Sequence, residues 1–322
     1  MLSEAQEKKI KDSKDILQLA AKMSELYYQK PLIITYSGGK DSDVMLQLAI
    51  ECLEPSQFEV MNSHTSVDAP ETVYYIRDKF KQLAEMGIKA TVNIPRYKDG
   101  TQKTMWNLIV KKQLPPTRLQ RYCCAELKET NTPNRFVATG VRAAESTNRQ
   151  GRSSFSVRVR KKSDAQFWDF EHIRDVFESS EKERERLGAN PNDEDVYDCK
   201  FIENAKKKAD LICNPVYEWL DSDIWDFIHD RKMSYNPLYD CGFKRVGCIG
   251  CPMSTRKAQE LERYPKFKQA YKNAFKRMCE AREKAGKVNK KHWGDADRVY
   301  AWWIEDKQIP GQMMLDGTEY KP

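Results

Sequence analysis

Between residues 32 and 52 the chain runs LIITYSGGKDSDVMLQLAIEC, an apolar β-branched run, a glycine-containing turn and a helix-like segment in direct succession. A short continuous apolar run of this kind is the pattern of a buried parallel strand. The turn after it can hold successive backbone N–H groups in a concave nest at the positive end of the new helix, which favours an anion. Gly38 and Gly39 let the backbone approach a phosphate without a Cβ in the way. Lys40 supplies a point charge, and Ser37 and Ser42 supply hydroxyl donors. Asp41 is unusual beside an anion unless it caps the helix or holds a Mg²⁺ ion. The segment is not a Walker A loop, because Ile34 stands where that pattern requires its first Gly, and it does not match GxGxxG.

Around this anchor the hydrophobic pattern alternates strand and helix. Residues 3–29 read as an amphipathic helix with Ile10, Ile16, Leu17, Leu19 and Met23 near one face. Strands are expected at 58–62, 89–94 and 135–140, and helices at 41–52 and 70–87, the latter with Pro70 in its first turn. This alternation argues for an α/β fold with a doubly wound parallel sheet over residues 1–152. Residues 153–210 read as a charged insert or lid opened by a strand at 154–160. Residues 211–322 read as a helical C-terminal part with a short helix at 221–231, a Cys-rich loop, a basic helix at 258–285 and an aromatic segment at 293–303.

The first twenty residues lack the apolar core of a signal peptide, and no apolar run is long enough to span a membrane. The expected compartment is therefore a reducing cytoplasm. There, nine cysteines do not read as a disulfide framework, and clustered ones read as metal ligands or redox groups. Five of them are clustered: Cys123 and Cys124 in RYCCAELKE, and Cys241, Cys248 and Cys251 in YDCGFKRVGCIGCPM. The Cys-x-x-Cys turn lets two sulfurs face one metal, and the interspersed glycines free N–H groups for sulfur. Spacing alone leaves structural zinc and an Fe₄S₄ cluster both open. Cys52, Cys199, Cys213 and Cys279 read as packing residues. The net charge of +7 points to an anionic partner, and residues 256–284 alone carry ten Lys or Arg against four Glu.

Four ordered blocks, SGGKDS, RYCCAELK, TGVRAAESTNR and NPLYDCGFKRVGCIGCPM, resemble the phosphoadenylyl-sulfate reductase-like family of the adenine-nucleotide α-hydrolase-like (PP-loop) superfamily. The branch that the blocks resemble most is that of the sulfur-activating proteins of bacterial DNA phosphorothioation. The resemblance implies that ATP, or an adenylyl sulfate, is held on residues 37–42, with Tyr36 and Thr65 near the adenine or ribose. It implies that Arg142 and Arg149 grip the anion, guanidinium groups being suited to bidentate contact with phosphate or sulfate. Lys40, Asp41 and Arg142 are the implied catalytic groups. An Fe₄S₄ cluster is implied on Cys123, Cys124, Cys248 and Cys251, or on Cys123, Cys241, Cys248 and Cys251, with Lys128 nearby. Implied partners are a sulfur donor of the cysteine desulfurase type, and DNA or DNA-modification proteins.

The chain departs from the reductases in two ways. Glu145 stands where they carry Gln, and their C-terminal Glu-Cys-Gly-Leu-His motif has no counterpart, the last cysteine being Cys279 within FKRMCEAREKAG. The function expected from the resemblance is an ATP pyrophosphatase that adenylates its substrate for sulfur transfer, with sulfonucleotide reduction and a non-catalytic nucleotide-sensing module as alternatives.

Overall fold

The computed structural model describes residues 2–129, 132–145, 147–158, 165–187, 200–287 and 295–305. They form two compact units, each discontinuous in sequence: Met1–Asn62, Glu71–Asn93 and Thr132–Val246 make the first, and Ser63–Pro70, Ile94–Asn131 and Gly247–Pro322 the second.

In the first unit, helix α1 (Glu4–Met23) opens with a capping box in which Ser3 and Gln6 exchange bonds, and it buries Ile10, Ile16, Leu17 and Met23. Strand β1 (Leu32–Thr35) follows, its first three residues fully buried, then α2 (Lys40–Cys52), β2 (Phe58–Ser63), α3 (Pro70–Glu85) and β3 (Ala90–Asn93). After an excursion into the second unit the chain returns as β4 (Phe136–Ala138), β5 (Phe155–Val157), β6 (Phe167–Trp168), β7 (Leu211–Cys213) and helix Asp221–Asp230. The seven strands form one sheet in the order β3-β2-β1-β4-β7-β5-β6. β1 pairs in parallel with both β2 and β4, and β4 with β7.

The α/β class with a largely parallel sheet is as expected, except at one edge. β5 runs antiparallel to β7 and to β6, an arrangement that an edge tolerates because no crossover helix is needed there. Strands from all three expected segments, 1–152, 153–210 and 211–322, thus share a single sheet. β2 and β3 lie on one side of β1 and β4 on the other, so the crevice beyond the carboxyl end of β1 is the switch point where open α/β sheets bind ligands.

The second unit is mainly helical. It contains Met105–Lys112, the short Tyr122–Cys124 turn, Lys257–Arg263, Pro265–Lys284 and Ala296–Glu305. Its core is aromatic: Tyr271 packs on Trp303 at 4.6 Å between ring centroids and on Trp106 at 5.0 Å, while Phe275 meets Trp303 at 5.3 Å. The basic helix expected at 258–285 is broken at Tyr264, because Pro265 offers no N–H and disfavours a helical residue before it. Trp293, at the start of the expected aromatic segment, lies outside the described residues. None of the described helices is long and apolar enough to cross a membrane.

Candidate functional site

The loop between β1 and α2 belongs to the first unit. Gly38 takes φ +71°, and a Cβ there would lie 2.9 Å from the Ile76 side chain, so the position requires glycine on both counts. Ser42 Oγ donates to Gly39 O at 2.7 Å and accepts from Ser37 N at 3.2 Å, closing the loop on itself. Asn236, fully buried, donates to Gly38 O at 3.0 Å and to Thr72 Oγ1 at 3.0 Å. Lys40 N donates to the Tyr239 hydroxyl at 2.9 Å. Gly140 presses on the loop from β4, where a Cβ would come within 3.2 Å of the Asp41 carbonyl. With the loop fixed from these sides, no acceptor among the described residues reaches the amides of Gly38, Gly39 or Asp41. These are the donors that the first turn of a helix offers to an anion.

Two nearly buried cations stand beside these amides. Lys40 Nζ lies 2.6 Å from Asp221 Oδ1, and Arg142 contacts Asp221 at 2.9 Å and Asp41 at 2.6 Å. Arg142 also donates to Trp219 O at 3.2 Å. The Asp221 side chain is 63% exposed, against 6% for Lys40 and 4% for Arg142. Burial opposes ionisation of Asp221, but the bonds to Lys40 and Arg142 prevail and hold its carboxyl below the usual range. An exposed carboxylate thus bridges the two cations. Asp41 lies against Arg142 and 3.6 Å from Lys40, so this carboxylate is already compensated by cations and does not fit a Mg²⁺ ligand.

The other expected residues fall as follows. Ser37, Gly38, Gly39, Lys40, Asp41, Ser42 and Arg142 come together. Arg149 pairs with Glu145, whose carboxylate also accepts the Arg142 amide at 3.2 Å, so its guanidinium is engaged locally. Tyr36 is 2% exposed and donates to Asp43 at 2.5 Å, which makes it a support beneath the loop rather than a wall for a base. Burial holds the Asp43 carboxyl up at about 7, despite bonds from Tyr36 and Tyr75. Asp221, Asn236, Tyr239 and Gly140 were not singled out from the sequence. The last three lie inside the family-like blocks TGVRAAESTNR and NPLYDCGFKRVGCIGCPM, the signal that could have flagged them.

Thr65 belongs to the second unit, where its hydroxyl accepts the Cys248 thiol at 3.6 Å. The segment bearing it pairs with the Cys-rich loop through an Asp68–Cys248 bridge and a bond from Ile249 N to Val67 O of 2.7 Å. Gly250, at φ +70°, lets that loop turn flat against Tyr271 and Trp303, either of which a Cβ would strike at about 3 Å. Cys123 and Cys124 follow Arg121, whose guanidinium reaches Cys124 Sγ at 3.4 Å. The bond between the two thiols, with burial, raises Cys123; the same bond, aided by Arg121 and Lys128, lowers Cys124. Negative charge on Cys248, Asp68 and Cys124 raises Lys128 in turn.

Cys123, Cys124, Cys248 and Cys251 thus share one electrostatic neighbourhood, with Arg121 and Lys128 as counter-charges. Among the described residues no three His, Cys, Asp or Glu side chains converge on one point as ligands of a single ion would. The donor set, four sulfurs from two remote segments with two cations beside them, fits the chemistry of an anionic iron–sulfur cluster. Cys241 falls in the first unit, exposed in the turn after Tyr239. Burial raises Cys52 to about 11 and pushes Cys213 and Cys279 up as well; Cys199 lies outside the described residues.

Open loop amides at the switch point of a largely parallel α/β sheet, beside two nearly buried cations, make an anion-binding site. Residues 31–254, more than two thirds of the chain, match the phosphoadenosine phosphosulfate reductase domain, and the chain belongs to that family. It is 23% identical over 304 residues to an uncharacterized protein of Methanocaldococcus jannaschii, and 24% over 254 residues to another from the same organism. These alignments cover 93% and 78% of this chain but only 58% and 43% of those proteins, so the chain spans about half the length of these relatives. An adenosine 5′-phosphosulfate reductase of Anoxybacillus flavithermus is 32% identical over 62 residues, 19% of this chain and 26% of that one. Among solved structures, phosphoadenylyl-sulfate reductase from Candida auris aligns over 77% of this chain and 96% of its own with a TM-score of 0.41 and 15% identity. The U34-tRNA thiolase NcsA from Methanococcus maripaludis, solved with its [4Fe-4S] cluster, aligns over 98% and 86% with a TM-score of 0.35 and 15% identity.

Proposed function

We propose that this chain binds ATP on residues 37–42 and cleaves it between the α- and β-phosphates, adenylating a substrate oxygen so that sulfur can replace it. The observation that carries this reading is the pair of buried cations, Lys40 and Arg142, parked on the exposed Asp221 carboxylate beside three open amides. In the reaction the substrate oxygen attacks the α-phosphorus, the bond from that phosphorus to the bridging oxygen breaks, and pyrophosphate leaves with the electron pair. The loop amides and Lys40 take up the charge that develops on pyrophosphate, and Arg142 orients the phosphate it touches.

In the second unit Cys123, Cys124, Cys248 and Cys251 would hold an Fe₄S₄ cluster; with all four as ligands every iron is occupied, and an iron open to sulfur would require one of these thiols to stay off the cluster. Sulfur would come from a donor of the cysteine desulfurase type. Within the family the reading favours the sulfur-activating branch of DNA phosphorothioation. The main competitor is reduction of an adenylyl sulfate, which needs a thiolate nucleophile. Against it, burial raises Cys52, Cys213 and Cys279, the opposite of activation, and the one thiol that is lowered among the described residues, Cys124, belongs to the proposed cluster set.

Anaerobic protein assayed in parallel for pyrophosphate release from ATP, and for sulfite release from adenylyl sulfate with a dithiol reductant, separates the two. Iron and acid-labile sulfide are quantified on the same sample. Pyrophosphate without sulfite is expected; sulfite without pyrophosphate overturns the proposal.

A further inference from the structure

The second unit carries a cleft of about 810 Å³ away from its cysteines, lined by a hairpin-like loop, helix Met105–Lys112 and helix Pro265–Lys284. The loop is well fixed: Tyr97 N donates to Thr101 O at 2.8 Å, Lys103 N to Pro95 O at 2.7 Å, and Arg96 bridges Gln102. Five cations line the cleft, Arg96, Lys98, Lys103, Lys111 and Arg277, against two carboxylates, Asp99 and Glu126.

The two carboxylates offset only part of this charge, since five cations face two of them. Glu126 is shared between Lys103 at 2.8 Å and Lys112 at 2.9 Å, and Asp99 accepts the Thr101 amide at 2.9 Å. Lys111 stands over the Tyr97 ring at 4.0 Å and Lys103 at 5.5 Å. The buried Tyr97 hydroxyl has no hydrogen-bond partner among the described residues, which leaves an unused donor in a cationic cleft. Lys98, Lys111 and Arg277 have no ion-pair partner among those residues either.

The positive charge continues beyond the cleft. Lys266, Arg277 and Lys284 are exposed, and their spacings of eleven and seven residues put them on one stripe of the helix, Pro265–Lys284, interrupted by the exposed Glu280. At 1.5 Å per residue the stripe runs about 27 Å. A single phosphate or a mononucleotide cannot engage charges spread over that length, whereas a repeating polyanion can.

We infer that this cleft and stripe bind a nucleic-acid strand through its phosphates, as a docking surface for a macromolecular substrate separate from the nucleotide loop. Its test reads binding, not turnover, so its failure leaves the ATP reading standing. A fluorescein-labelled mixed-sequence 20-nucleotide strand, as RNA and as DNA, is titrated with the full chain by anisotropy between 50 and 200 mM NaCl. Three to five phosphate contacts predict a slope of log affinity against log salt of about −2 to −3.5 for single strands. The variant Lys98→Glu/Lys111→Glu/Arg277→Glu should lose at least about tenfold in affinity at 50 mM and flatten the slope to between 0 and about −1.4, the value for the zero to two contacts that remain. Arg277→Ala alone should reduce the slope by about 0.7. Lys8→Glu/Lys11→Glu/Lys81→Glu, an equal change of charge on exposed lysines of the first unit, should bind within about twofold of the unaltered chain. The inference is overturned if this control loses as much as the cleft variant, or if the unaltered chain shows a slope flatter than −1. It is equally overturned if polyglutamate of matched charge binds as tightly and is lost with the same variant, which would assign the surface to an acidic protein.

Discussion

Substituting Gly38 isolates the contribution of the phosphate loop, because the same unit holds a matched control. Gly38 and Gly87 have nearly the same backbone angle, φ +71° and +75°. At Gly87 a Cβ meets nothing within 4 Å, whereas at Gly38 it would stand 2.9 Å from Ile76 Cγ1, 3.2 Å from Cδ1 and 3.2 Å from Thr72 Cγ2. An L-residue in this left-handed region costs about 1–2 kcal/mol, partly offset by roughly 0.4–1 kcal/mol from the smaller entropy of the unfolded chain. Gly87→Ala should therefore destabilise by about 1 kcal/mol. Gly38→Ala adds overpacking against a buried side chain, about 1–3 kcal/mol, for a total of about 2–4 kcal/mol.

The functional effect should be separable from this loss. Relieving the clash moves the Gly38 amide away from the anion, and losing one hydrogen bond to a charged group is worth about 1.5–3 kcal/mol, or roughly 10- to 100-fold in nucleotide affinity. Urea unfolding followed by tryptophan fluorescence, with calorimetric titration of a non-hydrolysable ATP analogue, measures both quantities for the two variants. Ile76→Ala in the Gly38→Ala background removes the clashing atoms, so the pair should couple favourably by about 0.5–3 kcal/mol. The reasoning is refuted if Gly38→Ala binds the analogue within twofold of the unaltered chain and loses no more stability than Gly87→Ala.

Two further predictions follow from the charges. Asp221→Asn should tighten pyrophosphate binding by roughly 2- to 20-fold in calorimetry, since two partly exposed ion pairs no longer compete; weaker binding would mean that Asp221 positions the cations rather than blocks them. After anaerobic reconstitution, Cys124→Ser and Cys248→Ser should each lose more than half of the iron and acid-labile sulfide while Cys241→Ser retains both; the reverse pattern would restore Cys241 to the ligand set.

What could be read from the sequence was what is local. The loop announced itself because strand, glycine turn and helix start lie within twenty contiguous residues, and β1 to β4 did so as apolar runs. β6 and β7 span two and three residues, too short for any periodicity to register, so the antiparallel edge was invisible. Met105–Lys112, capped by Thr104, was overlooked between two loops. Pro265 carried the signal for the helix break, and the charge pattern across it masked that signal. Asp221 read only as a helix start. Its bond to Lys40 joins residues 181 positions apart, and pairing at that distance is set by sheet order, which no local pattern encodes.

The choice of Asp221 as the placeholder follows from what such a group must do. It has to help hold Lys40 and Arg142 in place, since Asp41 alone is one counter-charge for two nearly buried cations that would otherwise repel each other. It must also leave at little cost when a polyphosphate arrives. A buried carboxylate would fail the second requirement, because displacement would strand its charge in the interior. Asp221 meets both: its side chain is 63% exposed, so release returns it to water, and it opens helix Asp221–Asp230, whose N-terminal end favours a negative charge whether or not the cations stay. Asp223, two residues further on, accepts the Leu220 amide at 2.8 Å and pairs with Lys9 at 2.6 Å, so the helix start does not depend on Asp221 for its cap. Structure and exchange are thereby assigned to different carboxylates of the same turn, and the one on the cations is the one that the fold can release.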